Sequence, residues 1–200
     1  MIELLLATHN IGKVREIRRI TAGCDWHWRG LDDFPDLSAA VEDADTFAGN
    51  ARLKALYYAA ATGLTTLADD SGLEVDCLDG APGVHSARYA GEPKDDAANN
   101  RLLIANLKKT PLGQRTARFR CAMALARPGE ILAETAGVVE GVIIDEPRGS
   151  NGFGYDPHFL ASVIDKTLAE LPEEEKNALS HRGQALRAMA RIIAETAPFS

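Results

Sequence analysis

The chain has 200 residues, 46% hydrophobic and 26% charged, enough for one sizeable domain with a core of its own. Its 22 basic and 29 acidic residues leave a net charge of −7, a poor match for nonspecific binding of duplex nucleic acid, because phosphate contacts need a positive face. No run approaches the roughly 20 apolar residues of a membrane span.

The opening apolar run, Ile2 to Ala7, suits a short buried strand. It carries Glu3 and is too short for a signal h-region. The polar segment Thr8-His9-Asn10-Ile11-Gly12-Lys13 follows, and then Val14, Ile17 and Ile20 recur at helical spacing until Gly23. A loop between a buried strand and a helix is a natural phosphate site, since backbone N–H groups and the helix dipole converge there. Lys13 adds a point charge to that reading, whereas the bland alternative is an ordinary polar βα turn. This is not a Walker loop, which needs more glycines and a Lys-Ser/Thr pair.

Cys24 to Arg29 is read as a second strand, and residues 30 to 45 as an acidic loop containing Glu42. An alanine-rich helix is expected from Thr46 to Thr62, closed by Gly63, and it carries Lys54. Two short strands, Thr65 to Ala68 and Leu73 to Leu78, are expected to bracket Asp69 and Asp70. Adjacent strand residues point to opposite faces, so only one of the two carboxylates faces a given side. Either the pair is a solvated turn or it holds a hard cation, which prefers carboxylate oxygens.

Gly80-Ala81-Pro82-Gly83 is a turn, and Asp95 to Leu107 a helix capped by Asp95 or Asp96. Ala117, Phe119, Cys121, Met123 and Leu125 alternate first with Arg118 and Arg120, which is strand period. Pro128-Gly129 turns the chain into a second long strand, Ile131 to Ile144, giving an antiparallel hairpin expected to form a second lobe. Between Asp145 and Pro157 the chain is glycine-rich. There Phe153, Gly154, Tyr155 and Asp156 suit a loop lying against a flat ligand, the aromatic faces stacking on a base or else plugging the core. From Pro172 the tail is helical. Ser180 is a natural cap, Lys176, His181 and Arg182 lie at the start of the last helix, and Ala185, Leu186, Met189, Ile192 and Ile193 make its buried stripe. The three cysteines, Cys24, Cys77 and Cys121, are neither a disulfide framework nor a zinc signature, and fit a reducing, cytoplasmic location.

Seven blocks in one order, ATHNIGKVREI, TFAGNARLKA, LADDSGLEVD, GAPGVHSARYAG, ARFRC, GFGYDPHF and EEKNALSHRGQAL, resemble the non-canonical purine nucleoside triphosphate pyrophosphatases, the inosine/xanthosine triphosphate pyrophosphatase family. The resemblance runs nearly end to end. It implies a single domain over 1–200 with an elongated α/β mixed sheet, flanking helices and two lobes around a central nucleotide-binding cleft, usually as a homodimer. It implies Mg2+-dependent hydrolysis of ITP, dITP or XTP to the monophosphate and pyrophosphate. Asp70 is implied as the catalytic carboxylate and a metal partner, with Glu42 as a second metal carboxylate. Thr8, His9, Asn10, Ile11, Gly12, Lys13 and Lys54 are implied to hold the phosphates. Ser71, Phe153, Gly154, Tyr155, Asp156, Lys176, His181 and Arg182 would line the nucleotide site.

A 6-oxo purine presents an acceptor where adenine presents a donor, so a buried donor from Arg182, His181 or an amide of the 153–156 loop would reject ATP. Two rival readings remain: the same fold with another base preference, and a nucleotide sensor that does not cleave. Gly49 hints at the second, since family members often carry Glu there, whereas an intact Asp70 argues against it.

Overall fold

The structure, a computed structural model, describes residues 2–196. Among these, seven strands form one mixed sheet in the order β2-β1-β3-β4-β5-β6-β7, flanked by helices. The strands are β1 (Ile2–Leu6), β2 (Trp26–Gly30), β3 (Thr66–Val75), β4 (Thr116–Arg127), β5 (Glu130–Ile143), β6 (Phe159–Ala161) and β7 (Lys166–Thr167). The α-helices are α1 (Ile11–Ile20), α2 (Phe47–Thr62), α3 (Asp96–Leu107), α4 (Glu173–Leu179) and α5 (His181–Thr196). The expected α/β class is what the structure shows.

By its internal contacts the chain divides into two compact units. Among the described residues the first comprises 2–70, 121–137 and 182–196; the second comprises 71–120 and 138–181. In the first unit, β1 pairs in parallel with both β2 and β3. Its core gathers Leu4, Leu6, Ile17, Leu67, Cys121, Met123, Leu125, Ala185, Leu186, Met189 and Ile193, so the expected stripes of α1 and α5 face a core, except that Ile192 is half-buried and outside it. In the second unit, β6 pairs antiparallel with β5 and β7. Its core gathers Leu73, Val75, Leu103, Leu107, Phe119, Ile143, Tyr155 and Phe159 among others.

Caps set where the helices begin. Asn10 accepts from the Lys13 amide at 3.2 Å and starts α1, and Thr46 accepts from the Gly49 amide at 3.0 Å and starts α2. Left-handed Gly63 (φ 74°) ends α2, and Asp95 caps α3 through the amides of Ala97 and Ala98.

Two expectations are corrected. The acidic pair does not sit at a strand end between two short strands: Asp69 and Asp70 lie inside one continuous strand, β3. Charge disfavours a strand interior only while it is uncompensated, and here both carboxylates have partners. Nor is the β4–β5 hairpin a second lobe by itself. Its tip, residues 121–137, belongs to the first unit, and its base belongs to the second. Long strands carry enough apolar length to serve two cores.

Candidate active site

Helix α2 shows how the sequence builds the site. Its buried residues are Phe47, Asn50, Ala51, Lys54, Ala55, Tyr58 and Ala59, a stripe at helical spacing. Asn50 and Lys54 are polar members of that stripe, one turn apart and therefore neighbours on one face. Both reach Asp70. Asn50 Nδ2 donates to Asp70 Oδ2 at 3.2 Å, and Lys54 Nζ lies 3.4 Å from Asp70 Oδ1. Lys54 Nζ also donates to Glu42 Oε2 at 2.8 Å, so one ammonium bridges the two carboxylates implied to hold the metal.

Asp69, the neighbour on the same strand, has other partners. Its Oδ2 meets Lys13 Nζ at 3.0 Å and Arg182 Nε at 3.3 Å, and Arg182 turns Nη1 toward the Glu16 carboxylate. Glu16, Asp69 and Arg182 are all buried, as is Cys121, whose Sγ is 4.0 Å from Asp69 Oδ2. The two carboxylates thus contact different partners, although Lys13 and Lys54 each lie near enough for their charge to act on both.

The two aspartates titrate in opposite directions. Burial alone would raise Asp69, but Lys13 and Arg182, with help from Lys54, hold its carboxyl well below the usual carboxylate range. Burial raises Asp70, and the Lys54 and Lys13 charges only partly offset it. Lys54 is raised: burial works against its charge, and the Asp70, Asp69 and Glu42 carboxylates outweigh it. Burial, followed by the Asp69 charge, pushes the Cys121 thiol up to about 12, so it is inert at neutral pH.

The donor chemistry fits a hard divalent cation. Lys13, Lys54 and Arg182 face the four carboxylates Glu16, Asp69, Asp70 and Glu42, leaving negative charge in excess on the Asp70–Glu42 side. No group of three or more His, Cys, Asp or Glu residues is poised to hold a metal among the described residues. Two carboxylates with substrate phosphates completing the shell is the usual Mg2+ arrangement.

The loop before α1 is open. His9 and Asn10 are exposed, Thr8 and Gly12 half-buried, and Ile11 is 84% exposed, while Lys13 is drawn in against Asp69.

In the second unit, Lys176 and Asp156 form a buried ion pair at 2.7 Å. The Phe153 amide donates to the same Asp156 Oδ2 at 2.8 Å, and Lys176 Nζ lies 4.8 Å from the centre of the Phe153 ring. A Cβ on Gly152 (φ 75°) would come within 2.1 Å of Asp156 Oδ2, so this glycine is what lets the loop close on the carboxylate. Tyr155 is part of the core and donates its hydroxyl to the Ser86 carbonyl at 2.8 Å, which leaves Phe153 as the loop's half-exposed aromatic. Ser71 is half-buried. His181 is buried, its ring stacked on Phe119 at 4.9 Å with 8° between planes.

Of the donors considered for a 6-oxo group, Arg182 faces Asp69 and Glu16, and the amides of Phe153, Gly154 and Asp156 donate within the protein. Asn50 and Glu16 escaped the sequence reading. Each had a signal: Asn50 lies four residues before Lys54, and Glu16 three after Lys13, on shared helix faces.

The matches to known proteins agree with this geometry. A family model described as the Ham1 family matches residues 4–192. The dITP/XTP pyrophosphatase of Geobacter sulfurreducens is 53% identical over 186 residues, which is 93% of this chain and 94% of that protein. Its counterpart from Desulforamulus reducens is 50% identical over 191 residues, 96% and 95% of the two chains. The solved structure of a HAM1 protein from Coxiella burnetii has a TM-score of 0.88 at 40% identity, covering 98% of this chain and all of that one, 100%. With a matched model across nearly the whole described chain and relatives half identical over it, the chain belongs to the Ham1 family.

Proposed function

We infer that this protein is a nucleoside triphosphate pyrophosphatase that hydrolyses the non-canonical purine nucleotides dITP, ITP and XTP to the monophosphate and pyrophosphate. The observation that carries the reading is the Asp70–Lys54–Glu42 arrangement, which leaves carboxylate charge in excess. It occurs in a chain about half identical to two dITP/XTP pyrophosphatases. The nucleotide is the small-molecule partner, and the matched region supports one pyrophosphatase domain spanning both units.

The chemistry is water attack at the α-phosphorus with pyrophosphate leaving, a reaction governed by positioning and charge neutralisation. Asp70 is assigned to orient the attacking water and accept its proton, a task suited to a carboxyl whose pKa lies above the ordinary value. Asn50 holds one oxygen of Asp70 in place, which fixes the direction of the other. Lys13, Lys54 and the loop Thr8 to Gly12 are assigned to the phosphates, where the ammonium groups neutralise charge on the leaving pyrophosphate. Mg2+, held by Asp70 and Glu42, would supply phosphate charge neutralisation and a more acidic bound water.

The Phe153–Asp156 loop, Lys176, Ser71, His181 and Arg182 are assigned to the nucleoside end. Phe153 offers the ring face for the base, and Arg182 acts through Asp69. We take the working form to be a homodimer in the cytoplasm. Free Cys24, Cys77 and Cys121 suit a reducing compartment, and no described helix is long and apolar enough to cross a membrane.

The test is product analysis with dITP and Mg2+, assaying orthophosphate with and without inorganic pyrophosphatase. Phosphate is expected only when the helper enzyme is present, and chelating the metal should stop formation of the monophosphate, followed directly by chromatography without the helper. Orthophosphate released without the helper would place cleavage at the γ-phosphorus and overturn the reading.

A further inference from the structure

The Gly152–Asp156 loop is gripped from α3 as well as from its own Asp156. The Gly154 amide donates to Asp96 Oδ2 at 2.7 Å, and the Gly154 carbonyl accepts from Asn100 Nδ2 at 2.8 Å. Asp96 and Asn100 are four residues apart in the first turns of α3, so they stand one above the other on one helix face. One face of α3 therefore holds both polar groups of a single residue. That residue sits beside Phe153 and has left-handed backbone (φ 63°).

The start of α3 does not account for Asp96. Asp95 already caps the helix, its Oδ1 accepting from the amides of Ala97 and Ala98 at 2.8 and 3.1 Å. Asp96 instead extends an exposed carboxylate to a loop 58 residues further along the chain. Asn100 is tied on the other side, its Nδ2 also donating to the Asp96 carbonyl at 2.9 Å. Neither residue falls in the sequence blocks that carried the family resemblance.

We propose that Asp96 and Asn100 are positioning residues that set base selectivity by clamping Gly154, and with it the Phe153 ring. The proposal rests on the assignment of the Phe153 loop to the base. Discrimination between a 6-oxo and a 6-amino purine requires the contacting groups to hold their places to within about 0.5 Å. A loop released from the clamp loses contacts with the preferred base while gaining none with the wrong one. The groups assigned to the phosphates and to the attacking water, Lys13, Lys54 and Asp70, make their contacts elsewhere among the described residues, so the loss falls on binding and not on turnover.

The experiment is steady-state kinetics with dITP and dATP for the parent, Asp96→Ala, Asn100→Leu and Asp96→Asn. It is read beside hydrogen exchange at the Gly154 amide in nucleotide-free protein. Asp96→Ala and Asn100→Leu are expected to lower the dITP-to-dATP ratio of kcat/KM about tenfold, through a higher KM for dITP with kcat within about twofold. Exchange at Gly154 should quicken in both. Asp96→Asn keeps an acceptor oxygen for the Gly154 amide, so its ratio should stay within about twofold of the parent. Folded truncation variants that keep the parent ratio overturn the proposal, as does Asp96→Asn falling as far as Asp96→Ala. A parent that turns over dITP and dATP equally overturns the base assignment together with this inference. A discriminating parent whose truncations match it sinks the inference alone.

Discussion

Asp69 and Asp70 are adjacent, share one strand and are both buried, yet their environments drive them apart. Asp69 faces two cations and stays charged far into acid. Its folded pKa is below the unfolded value of about 3.9, so its contribution to stability is full above that value and is lost as pH falls below it. Asp70 shares the ammonium it contacts, that of Lys54, with Glu42, and burial prevails over this charge and that of Lys13. Its folded pKa lies above the unfolded one, so ionising it as pH rises through that window costs stability. Asp70→Asn is therefore expected to be at least as stable as the parent in urea at pH 7, since Lys54 keeps Glu42, while losing about 10²-fold or more in turnover. Asp69→Asn should cost about 3 kcal/mol, because Lys13 and Arg182 lose the buried carboxylate they both face. A destabilised Asp70→Asn beside an unaffected Asp69→Asn would reverse the assignment of roles. The parent's activity should also fall in acid at a pH above the ordinary carboxylate value, as Asp70 takes up a proton.

At the scale of elements, α2 carries the most consequence. Its first turn is packed so closely against the acidic loop that a Cβ on Gly49 would lie 2.6 Å from Ala44 Cβ and 3.0 Å from Thr46 Oγ1. Asn50 Oδ1 accepts from the Ala44 amide at 3.0 Å, so the loop bearing Glu42 is tied to the residue that holds Asp70. Gly49 is thus the position that lets this loop lie against the helix. Two effects compete in Gly49→Ala. Helix propensity favours alanine by up to about 1 kcal/mol, whereas overpacking costs about 1–3 kcal/mol. The contact distances decide for overpacking, and urea denaturation should show a less stable variant. A gain in stability would mean that the loop yields freely, and that its packing against Gly49 does not hold Glu42 in place. The extended β3 makes the same point from the other side: its interior accepts two carboxylates because α1, α2 and α5 bring Lys13, Lys54 and Arg182 to it.

Across the whole molecule, neither unit is one stretch of chain. The first is assembled from three segments and the second from two, and β3, β4 and β5 each run through both. A fragment spanning residues 1–120 would lack Cys121, Met123, Leu125, Ala185, Leu186, Met189 and Ile193 from one core and Val139, Ile143, Tyr155 and Phe159 from the other. Each such fully buried side chain of Leu or Ile size is worth roughly 1.5–3 kcal/mol, so their joint loss exceeds the whole stability of an ordinary domain. The fragment should show no cooperative thermal transition by circular dichroism. A sharp melt would show that the first three strands and helices carry an independent fold.

Much of the fold is legible in the sequence. The helix limits at Thr46 and Gly63, the cap at Asp95, the stripe of α5 and the strand period around Phe119 depend on local backbone and side-chain chemistry, which neighbouring residues express. The sequence blocks likewise pointed to Lys13, Lys54, Asp70, Glu42, Lys176 and Asp156 before their contacts were known. What they could not say was who meets whom. That Asp69 belongs with Lys13 and Arg182, and Asp70 with Asn50 and Lys54, depends on contacts spanning up to 113 residues of chain. The same holds for the unbroken β3, whose two charges forbid a strand interior until distant cations are brought against them. It holds for the clamp on Gly154 as well, since no local pattern relates Asp96 and Asn100 to a loop 58 and 54 residues further on. Local sequence determined the elements and the kinds of groups available. Only the tertiary structure decided how those charges are paired, because a buried charge takes its pKa and its role from neighbours that the chain brings in from far away.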